Sequence, residues 1–348
     1  MSEIHSKYII IGAGLSGLTS SHQLQRKEEK DFLVLESRDR IGGRIYTKDE
    51  VDLGAAWFQN FHHHIQDYLD ELGLGKFEQY SKGKSVLVYN KMAAAHYFEM
   101  NLNDPSSYRI RNGSEELINL LATSVADKIK LNTTVINITE ENDKLIITTT
   151  NGVYSCEKII VTVPPKIVKK IKFHPALPTS LVHIMNQTHT WMSNSIKVGI
   201  TFNTPFWKEN GFSGTVIGQV GPLVELYDHS NYEQTSFSLM GFVNEELRDL
   251  SKEDRKEIIL KYLEKYLGKE ARNYSNYYEK DWFLDANTSS DDVYETIMNR
   301  QYGHSIFQEL YLNDKVLFSG TETSPVYGGF MEGAIYSGIV SAKKLMES

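Results

Sequence analysis

The sequence predicts an α/β fold that begins with a nucleotide-binding strand, turn and helix. Tyr8–Ile11 is a short apolar run rich in β-branched residues, as expected for a strand buried on both faces. The turn G-A-G-L-S-G follows over residues 12–17, and residues 18–25 read as a helix. A second strand over residues 31–35 ends in Glu36, 19 residues beyond the last glycine of the turn. This order of elements predicts a Rossmann-like dinucleotide-binding domain.

The residues of the turn each have a physical role. Gly12 permits a tight turn, Gly14 lets the backbone approach a pyrophosphate, and Gly17 lets the helix pack closely on the strand. The helix N-terminus, at Ser16, offers N–H groups and a positive dipole end to phosphates. Because a carboxylate at this spacing binds a ribose hydroxyl, Glu36 is expected to complete the site.

Length, net charge and cysteine content exclude several classes of protein. The chain has 348 residues, enough for two domains with substantial cores. Its net charge of −8 argues against nucleic-acid binding. The single cysteine, Cys156, lies in a strand-like run and reads as a buried, inert thiol. The N-terminus lacks a signal-peptide core, and no apolar run approaches membrane-spanning length. We therefore expect a cytoplasmic protein with neither a nucleic-acid nor a membrane partner.

The middle of the chain predicts further strands. Residues 86–98 contain short apolar and aromatic runs, and residues 112–121 read as an N-capped helix. Residues 135–138 and 144–150 read as strands that flank an Asn-Asp turn. Residues 154–163 read as one more strand, which two prolines terminate.

The second half of the chain predicts another sheet. Ser195–Phe202 alternates in polarity, and strand-like runs follow at residues 214–220, 223–227 and 236–243. A helix with a charged face is expected from Ser251 to about Leu267.

A run of three histidines, residues 62–64, raises the question of a metal site. The segment reads as a helix start, where consecutive side chains point about 100° apart and cannot converge on one ion. We expect no metal site.

At this point the sequence resembles the flavin-dependent amine oxidase family, which includes monoamine, polyamine and L-amino-acid oxidases. Glu36–Arg44 reads E-S-R-D-R-I-G-G-R and matches the E-x-R-x-R-x-G-G-R motif of the family. Residues 317–323 contain G-T-E-T, and residues 327–334 end in F-M-E-G-A, the family's closing motif. Residues 195–197 read S-I-K and residues 205–207 read P-F-W, which resemble the family's S-x-I-K and P-F-W motifs.

The resemblance implies a glutathione-reductase-type FAD-binding domain and an α+β substrate domain on a mixed or antiparallel sheet. The FAD-binding domain is expected to be discontinuous, over 1–80, 111–190 and 285–348, with the substrate domain over 81–110 and 191–284. The residues expected to bind FAD are Gly12, Gly14, Ser16, Gly17, Glu36, Ser37, Arg38, Gly43, Arg44, Gly54, Ala55, Ala56, Trp57, Val135, Gly320, Glu322, Met331 and Ala334. FAD is expected to be non-covalent, because Cys156 lies outside the segment that carries the family's covalent linkage.

The family resemblance also implies catalytic roles. Lys197 matches the lysine that holds a water near the flavin N5 and favours oxygen reduction by its charge. Phe330 matches one of two aromatic rings that flank the substrate nitrogen, with the tyrosine hydroxyl of monoamine oxidases lost. Trp282 and Tyr294 are the candidates for the second ring.

One departure from the family concerns the lid. Family members carry a helical segment over the substrate cavity between the positions of Asn90 and Arg111, where this chain has only about twenty residues. We expect a shortened form with a more open active site, or a homo-oligomer in which another subunit covers it.

The substrate is expected to be a small-molecule amine, with oxygen as acceptor. An amino-acid substrate would need an arginine for its carboxylate, and Arg109 and Arg248 are candidates. A diamine or polyamine would need a carboxylate for the far amine, and Glu225 and Asp228 are candidates.

Two other functions stay open at this point. The first is a renalase-like dihydronicotinamide oxidase, or another flavin dehydrogenase or desaturase of the same fold, which the short length favours. The second is a non-catalytic flavin-binding protein, which a retained lysine and aromatic wall argue against.

Overall fold

The computed structural model describes residues 3–101, 105–290 and 301–347. Its α-helices are α1 Leu15–Arg26, α2 His63–Glu71, α3 Glu115–Thr123, α4 Pro165–Val168, α5 Thr179–Gln187, α6 Phe206–Glu209, α7 Lys252–Leu267 and α8 Met331–Glu347. Its strands are β1 Ile4–His5, β2 Tyr8–Ile11, β3 Phe32–Leu35, β4 Thr47–Lys48, β5 Val51–Asp52, β6 Lys76–Glu78, β7 Lys84–Val88, β8 His96–Glu99, β9 Tyr108–Ile110, β10 Ile129–Lys130, β11 Val135–Glu141, β12 Lys144–Thr149, β13 Gly152–Cys156, β14 Lys158–Val161, β15 Lys172–His174, β16 Ile196–Phe202, β17 Phe212–Gly218, β18 Leu223–Asp228, β19 Phe237–Val243, β20 Tyr274–Asp281 and β21 Val316–Phe318.

A parallel sheet of order β10-β3-β2-β14-β21 forms the centre of the nucleotide-binding part. All four residues of β2 are buried, as its uninterrupted apolar run predicts. Helices α1, α3 and α8 cover one face of the sheet. Where α1 crosses α8, a Cβ on Gly338 would lie 2.6 Å from the carbonyl oxygen of Ser16, so this approach requires glycine.

A second sheet, of order β1-β13-β12-β11-β15, covers the other face. The strand expected over residues 154–163 is in fact two strands, β13 and β14, which belong to different sheets and are separated by Glu157. The charged residues Glu157 and Lys158 interrupt the apolar pattern at the point where the chain changes sheet. The hairpin between β11 and β12 turns at Asn142 and Asp143, both with positive φ, as predicted.

The third sheet has the order β20-β16-β19-β18-β17-β7-β8 and is mixed, since β17 and β7 run parallel while its other pairs are antiparallel. Alternate residues of β16, such as Ile196 and Val198, pack in one apolar core with α7. The opposite face carries Lys197 and Gly199 and packs on residues 51–53. The predicted α/β fold class, with a Rossmann-like domain and a mixed sheet in the rest of the chain, is confirmed. That mixed sheet is the third sheet.

The segment between Asn90 and Arg111, where family members are expected to carry a helical lid, is short in this chain. Among the residues described between Asn90 and Arg111, none is helical: they form β8, a loop and β9, which pairs with β6. The domain boundaries stay a prediction, although the strands of the third sheet lie within residues 84–99 and 196–281. In the part of the chain that is described, no helix combines the length and apolar character needed to cross a membrane.

Candidate active site

Two cavities adjoin between the nucleotide-binding sheet and the third sheet. The first is a cleft over the carboxyl ends of β2, β3 and β14, with the glycine turn on one wall. The second holds about 860 Å³ and lies over the third sheet. The residues that line both are Ala55, Trp191, Met192, Gly329, Phe330 and Met331.

The glycine turn is shaped by close backbone contacts. Gly12 has φ +106° and starts the turn. A Cβ on Gly17 would lie 2.0 Å from the carbonyl oxygen of Gly12, so helix and strand pack as the motif predicts. Gly14 differs, because the nearest atom to its Cβ would be the Gly43 Cα at 3.9 Å. Its missing side chain therefore leaves room in the cleft.

Glu36 is buried at the end of β3 and organises this wall. Its Oε2 accepts the Ala13 N–H at 2.7 Å, and its Oε1 accepts the Arg38 N–H at 2.9 Å. The Arg38 guanidinium lies with Nη1 3.6 Å from Glu36 Oε1 and donates from Nη2 to Asp285 and Thr288. The Glu36 carboxylate thus links the glycine turn to the residues that follow β3. It also lines the cleft.

Most of the predicted cofactor residues line the cleft: Gly12, Gly14, Ser16, Glu36, Ser37, Arg38, Gly43, Arg44, Ala55, Val135, Gly320, Met331 and Ala334. Gly54, Ala56 and Trp57 line the second cavity instead. Gly17 is a packing residue behind the turn. Role assignments for all these residues stay predictions.

Glu322 does not line the cleft, and its role in binding the cofactor stays a prediction. Its carboxylate is 1% exposed and receives both Arg44 terminal nitrogens, Nη1 at 2.5 Å and Nη2 at 2.9 Å. Its Oε1 also accepts the Trp191 N–H at 3.1 Å. The side chain therefore does not face the cleft, and it anchors a loop between the two cavities.

Sequence reasoning missed several cleft residues, among them Thr133, Thr134, Thr162, Pro164, Lys170, Met192 and Asn287. Thr162 follows β14, and its hydroxyl donates to the carbonyls of Ile11 at 2.8 Å and Gly12 at 3.1 Å. The sequence could have indicated Thr162 because it directly follows a parallel strand. Ligands bind beyond the carboxyl ends of such strands.

Lys197 lines the second cavity and is 1% exposed. Its Nζ donates to the carbonyls of Gly54 at 2.7 Å and Asp52 at 3.0 Å, and lies 5.3 Å from the Trp57 ring centroid. Burial lowers the pKa of this ammonium to about 7, against the attraction of the Asp52 carboxylate. A lysine that titrates near neutrality is typical of functional sites.

Behind Lys197 lies a buried group of charges. The Asp52 carboxylate accepts hydrogen bonds from Thr47 and Ser114, and its Oδ2 lies 3.3 Å from His229 Nε2. Burial raises the pKa of Asp52, but its hydrogen bonds and charges, led by His229, outweigh burial and the net shift is downward. Burial and the nearby Arg109 lower the pKa of His229 to about 3. This group supports the carbonyls that Lys197 binds.

Phe330 lines both cavities and lies with its ring 5.1 Å from the His62 ring. Trp282 is a correction: its indole is fully buried, donates from Nε1 to the Leu53 carbonyl at 2.8 Å, and lines neither cavity. This position supports the backbone beside Gly54 and argues against Trp282 as the second ring. Tyr294 lies outside the described residues.

The two arginine candidates have other partners. Arg109 is buried and donates to the carbonyls of Ser230 and His229, and Arg248 binds Asp281 and Asn194. Neither lines the second cavity. Neither arginine is therefore placed to bind the carboxylate of an amino-acid substrate in this cavity.

The two carboxylate candidates differ. Asp228 accepts hydrogen bonds from Trp207 and Ser230 and pairs with Lys208, so its charge is already matched. Both residues line the second cavity, but Glu225 has no cationic partner among the described residues and accepts a hydrogen bond from the Tyr227 hydroxyl at 2.9 Å. Glu225 is therefore the better placed acid.

The histidine run is spread over separate partners. His62 Nδ1 accepts the Gln59 N–H, whereas His64 Nδ1 lies 2.8 Å from Glu332 Oε1. Within the described ranges no group of three or more histidine, cysteine, aspartate or glutamate residues could hold a metal ion.

Comparison with known proteins decides the family. The sequence profile described as flavin containing amine oxidoreductase matches residues 77–346, and one described as an NAD(P)-binding Rossmann-like domain matches residues 10–72. The chain belongs to the flavin-containing amine oxidoreductase family. It is thus an FAD-dependent amine oxidase at the level of the family.

Individual relatives are distant but cover the whole chain. A probable flavin-containing monoamine oxidase A of Dictyostelium discoideum is 23% identical over 97% of both chains, and amine oxidase A of Canis lupus familiaris is 25% identical over 98% of this chain and 85% of its own. These alignments extend over 448 and 452 positions, so this amine oxidase is a shortened form.

Solved structures agree in fold. A double mutant of putrescine oxidase superposes with a TM-score of 0.86, at 22% identity and over 100% of both chains. The cyclohexylamine oxidase of Brevibacterium oxydans IH-35A superposes with a TM-score of 0.85, at 19% identity and over 98% of this chain and 99% of its own.

The residues of this amine oxidase fit FAD. The room left at Gly14 beside the start of α1 suits a pyrophosphate, and Glu36 offers a carboxylate to a ribose. Met331 and Ala334, in the first turn of α8, continue the cleft toward the second cavity. When bound, FAD supplies the oxidising chemistry that no protein side chain provides.

Proposed function

We propose that this protein oxidises the carbon–nitrogen bond of a primary or secondary amine to an imine, with non-covalent FAD as hydride acceptor and oxygen reduced to hydrogen peroxide. The observation that carries the proposal is the position of Lys197, a buried lysine that lines the cavity adjoining the cofactor cleft. The one cysteine, Cys156, is fully buried in β13, which supports non-covalent binding. Cytoplasmic location stays a prediction.

The substrate class follows from one row of side chains on the third sheet. Lys197 on β16 is in register with Phe242 on β19, and Phe242 is in register with Glu225 on β18. All three line the cavity. Because strands lie about 4.8 Å apart, the two charged residues are spaced by about 10 Å at the backbone. This spacing supports a substrate with one amine near Lys197 and a second, cationic group near Glu225.

A diamine is the simplest substrate of this kind. Its reacting nitrogen must be uncharged to be oxidised, whereas its far ammonium would pair with the Glu225 carboxylate. Phe242 lies between the two positions in the row, and Tyr227, whose ring packs edge-on against Trp57 at 5.2 Å, adds an apolar wall to the cavity. A wild-type putrescine oxidase bound to putrescine has the same fold, with a TM-score of 0.85, and agrees with this substrate class.

Anaerobic reduction of the purified yellow protein tests the activity. We expect an amine to bleach the FAD absorbance, and readmitted air to restore it with one peroxide formed per imine. Bleaching by a reduced nicotinamide alone would replace the proposal with the renalase-like function.

The substrate class is tested with Glu225→Gln. We expect KM for a diamine to rise by about 10- to 100-fold, because a paired charge is lost, while KM for a monoamine of equal chain length stays within about threefold. Glu99→Gln, at an exposed carboxylate on β8 of the same sheet that does not line the cavity, is the matched control and should change neither value. An unchanged diamine KM in Glu225→Gln would reject the diamine class.

A further inference from the structure

A short turn over residues 285–289 borders the cofactor cleft. Asn287 and Thr288 line this cleft, although the set of residues that the sequence predicts to bind FAD includes no part of the turn. The turn follows β20, the edge strand of the third sheet. The segment that leaves the substrate sheet thus reaches the cofactor site.

The turn lies at one particular end of the cleft. Arg38 follows Glu36 by two residues, and its Nη2 donates to Asp285 Oδ1 at 2.7 Å and to Thr288 Oγ1 at 3.1 Å. Glu36 is the residue placed to bind a ribose, whereas the room for a pyrophosphate lies at Gly14. Because a dinucleotide runs from pyrophosphate through ribose to base, the turn faces the adenosine of bound FAD.

Asp285 holds the turn in place without lining the cleft itself. Its carboxylate pairs with Arg38 and also accepts Lys280 Nζ at 3.0 Å and the Asn287 N–H at 3.1 Å. Burial raises the pKa of this carboxyl, but the two cations outweigh burial and the net shift is downward, so Asp285 is ionised. One carboxylate therefore joins the nucleotide-binding part, through Arg38, to β20, through Lys280.

Two further contacts fix the rest of the turn. Ser289 is buried, and its hydroxyl contacts the carbonyl oxygens of Ser193 at 2.6 Å and Trp282 at 2.8 Å. Lys170, which lines the cleft from the opposite side of the chain, donates from Nζ to the Ala286 carbonyl at 2.6 Å. The backbone of the turn is thus held from several sides.

Asn287 differs from its neighbours in the turn. Its backbone N–H is paired with Asp285, but its side-chain carboxamide has no partner among the described residues. The side chain is half-buried and lines the cleft. A carboxamide offers both a donor and an acceptor, which match the polar edge of an adenine and the hydroxyls of a ribose. A well-held turn therefore presents an unpaired polar group to the adenosine end of the site.

We propose that residues 285–289 clamp the adenosine of bound FAD: the Asn287 carboxamide binds it, and Asp285 is the positioning residue that holds the turn over the cleft. The inference goes beyond the proposed reaction, because it concerns how the cofactor is retained and depends only on FAD binding. It assigns this task to a segment that follows the substrate sheet.

Release of FAD from the purified holoprotein tests the role of Asp285. In Asp285→Asn the side chain keeps its size but no longer balances the charges of Arg38 and Lys280, so the turn should detach from the cleft. We expect the rate at which FAD appears in the ultrafiltrate of diluted protein to rise on the order of tenfold.

Asp281→Asn is the matched control. Asp281 also pairs with an arginine, Arg248, at 3.0 Å, and it also accepts a backbone N–H two residues further on, from Phe283. Its side chain is 8% exposed and that of Asp285 9%, but neither Asp281 nor Phe283 lines the cleft. Both variants should lower the Tm of the FAD-free protein similarly, and only Asp285→Asn should release FAD faster. Equal release rates in the two variants would overturn the role of Asp285.

The contact to adenosine is tested with Asn287→Ala and with ADP, which contains the adenosine and the pyrophosphate but no flavin. We expect the Kd of FAD and the Kd of ADP for the full-length apoprotein, measured by calorimetry, to rise by the same factor of about ten. The Tm of the apoprotein should not change, because the carboxamide has no protein partner. Asn186→Ala, at an exposed position of α5 that does not line the cleft, should change neither Kd.

The outcomes for Asn287→Ala are decisive. A raised Kd for FAD alone would place Asn287 beside the flavin and overturn the proposal, as would unchanged values for both ligands. Absence of ADP binding to the wild type would also overturn it, because the adenosine end would then contribute no affinity. The proposed reaction is tested separately, since a protein that retains FAD through this turn but is bleached by no amine would keep the clamp and reject amine oxidation.

Discussion

Lys197 Nζ donates a 2.7 Å hydrogen bond to the carbonyl oxygen of Gly54. This bond joins β16, which lies next to the edge strand β20 of the third sheet, to the residues that follow the nucleotide-binding motif. It places an ammonium between two carbonyls, where burial lowers its pKa to about 7. The protonation state of Lys197 therefore changes within the range of ordinary assays.

The first prediction concerns reaction with oxygen. A cation favours the negative charge that develops as oxygen is reduced, so the rate of FAD reoxidation should fall as pH rises above about 7. Lys197→Met should be slower by on the order of 10- to 100-fold at pH 6 and lose this pH dependence. Stopped-flow mixing of reduced protein with oxygen measures both.

Lys280→Met is the control for that experiment. Lys280 lies on β20 in register with Lys197, but it pairs with Asp285 and does not line the substrate cavity. Its removal should leave the pH profile unchanged. If Lys197→Met and Lys280→Met lowered the rate of FAD reoxidation equally, Lys197 would have no specific role in the reaction with oxygen.

The second prediction concerns stability. The folded pKa of Lys197 is about 7, and the unfolded value is about 10.4, so between these values the unfolded chain binds about one more proton. The free energy of unfolding should therefore increase with pH in this window, by up to about 1.4 kcal/mol per pH unit from this group. Urea unfolding at pH 7 to 10, with FAD held constant, should show a steeper slope in wild type than in Lys197→Met. Parallel slopes would contradict the lowered pKa.

The third prediction compares two alanine substitutions in the glycine turn. Gly17→Ala places a Cβ 2.0 Å from the Gly12 carbonyl and should destabilise the protein by more than about 2 kcal/mol. Gly14→Ala meets no protein atom closer than 3.9 Å, so the chain should fold normally and lose FAD. Circular dichroism and FAD content of the purified proteins distinguish the two effects. Normal FAD content in Gly14→Ala would show that the pyrophosphate lies elsewhere.

The fourth prediction concerns the Arg44–Glu322 pair. Glu322→Gln leaves the Arg44 guanidinium without its carboxylate, which should cost about 3 kcal/mol of unfolding free energy and weaken FAD binding. Glu71→Gln is the matched control, because Glu71 and Arg26 form an ion pair that is largely exposed, with an expected cost below about 1 kcal/mol. Thermal unfolding of both variants measures the two costs. Equal decreases in Tm for Glu322→Gln and Glu71→Gln would mean that the buried Arg44–Glu322 pair stabilises the protein no more than an exposed pair does.

The cofactor half of the site was predictable because it depends on local chain geometry. A strand, a glycine turn and a helix fold as one unit, and Glu36 follows at a spacing that the unit itself determines. The family motifs extended this to Arg44 and to the start of α8. Glu322 shows the limit, since its motif identified the residue while only the fold revealed that it binds Arg44 and Trp191.

The sequence by itself determined the α/β fold, the cofactor turn and the lysine. The tertiary structure alone decided which side chains meet at the substrate. Lys197, Phe242 and Glu225 form one row because three strands, distant along the chain, pair in a particular register, and a shift of one residue would turn each side chain to the other face. Trp282 is withdrawn from the cavity and Trp191 reaches it for the same reason: burial depends on neighbours that local sequence does not specify.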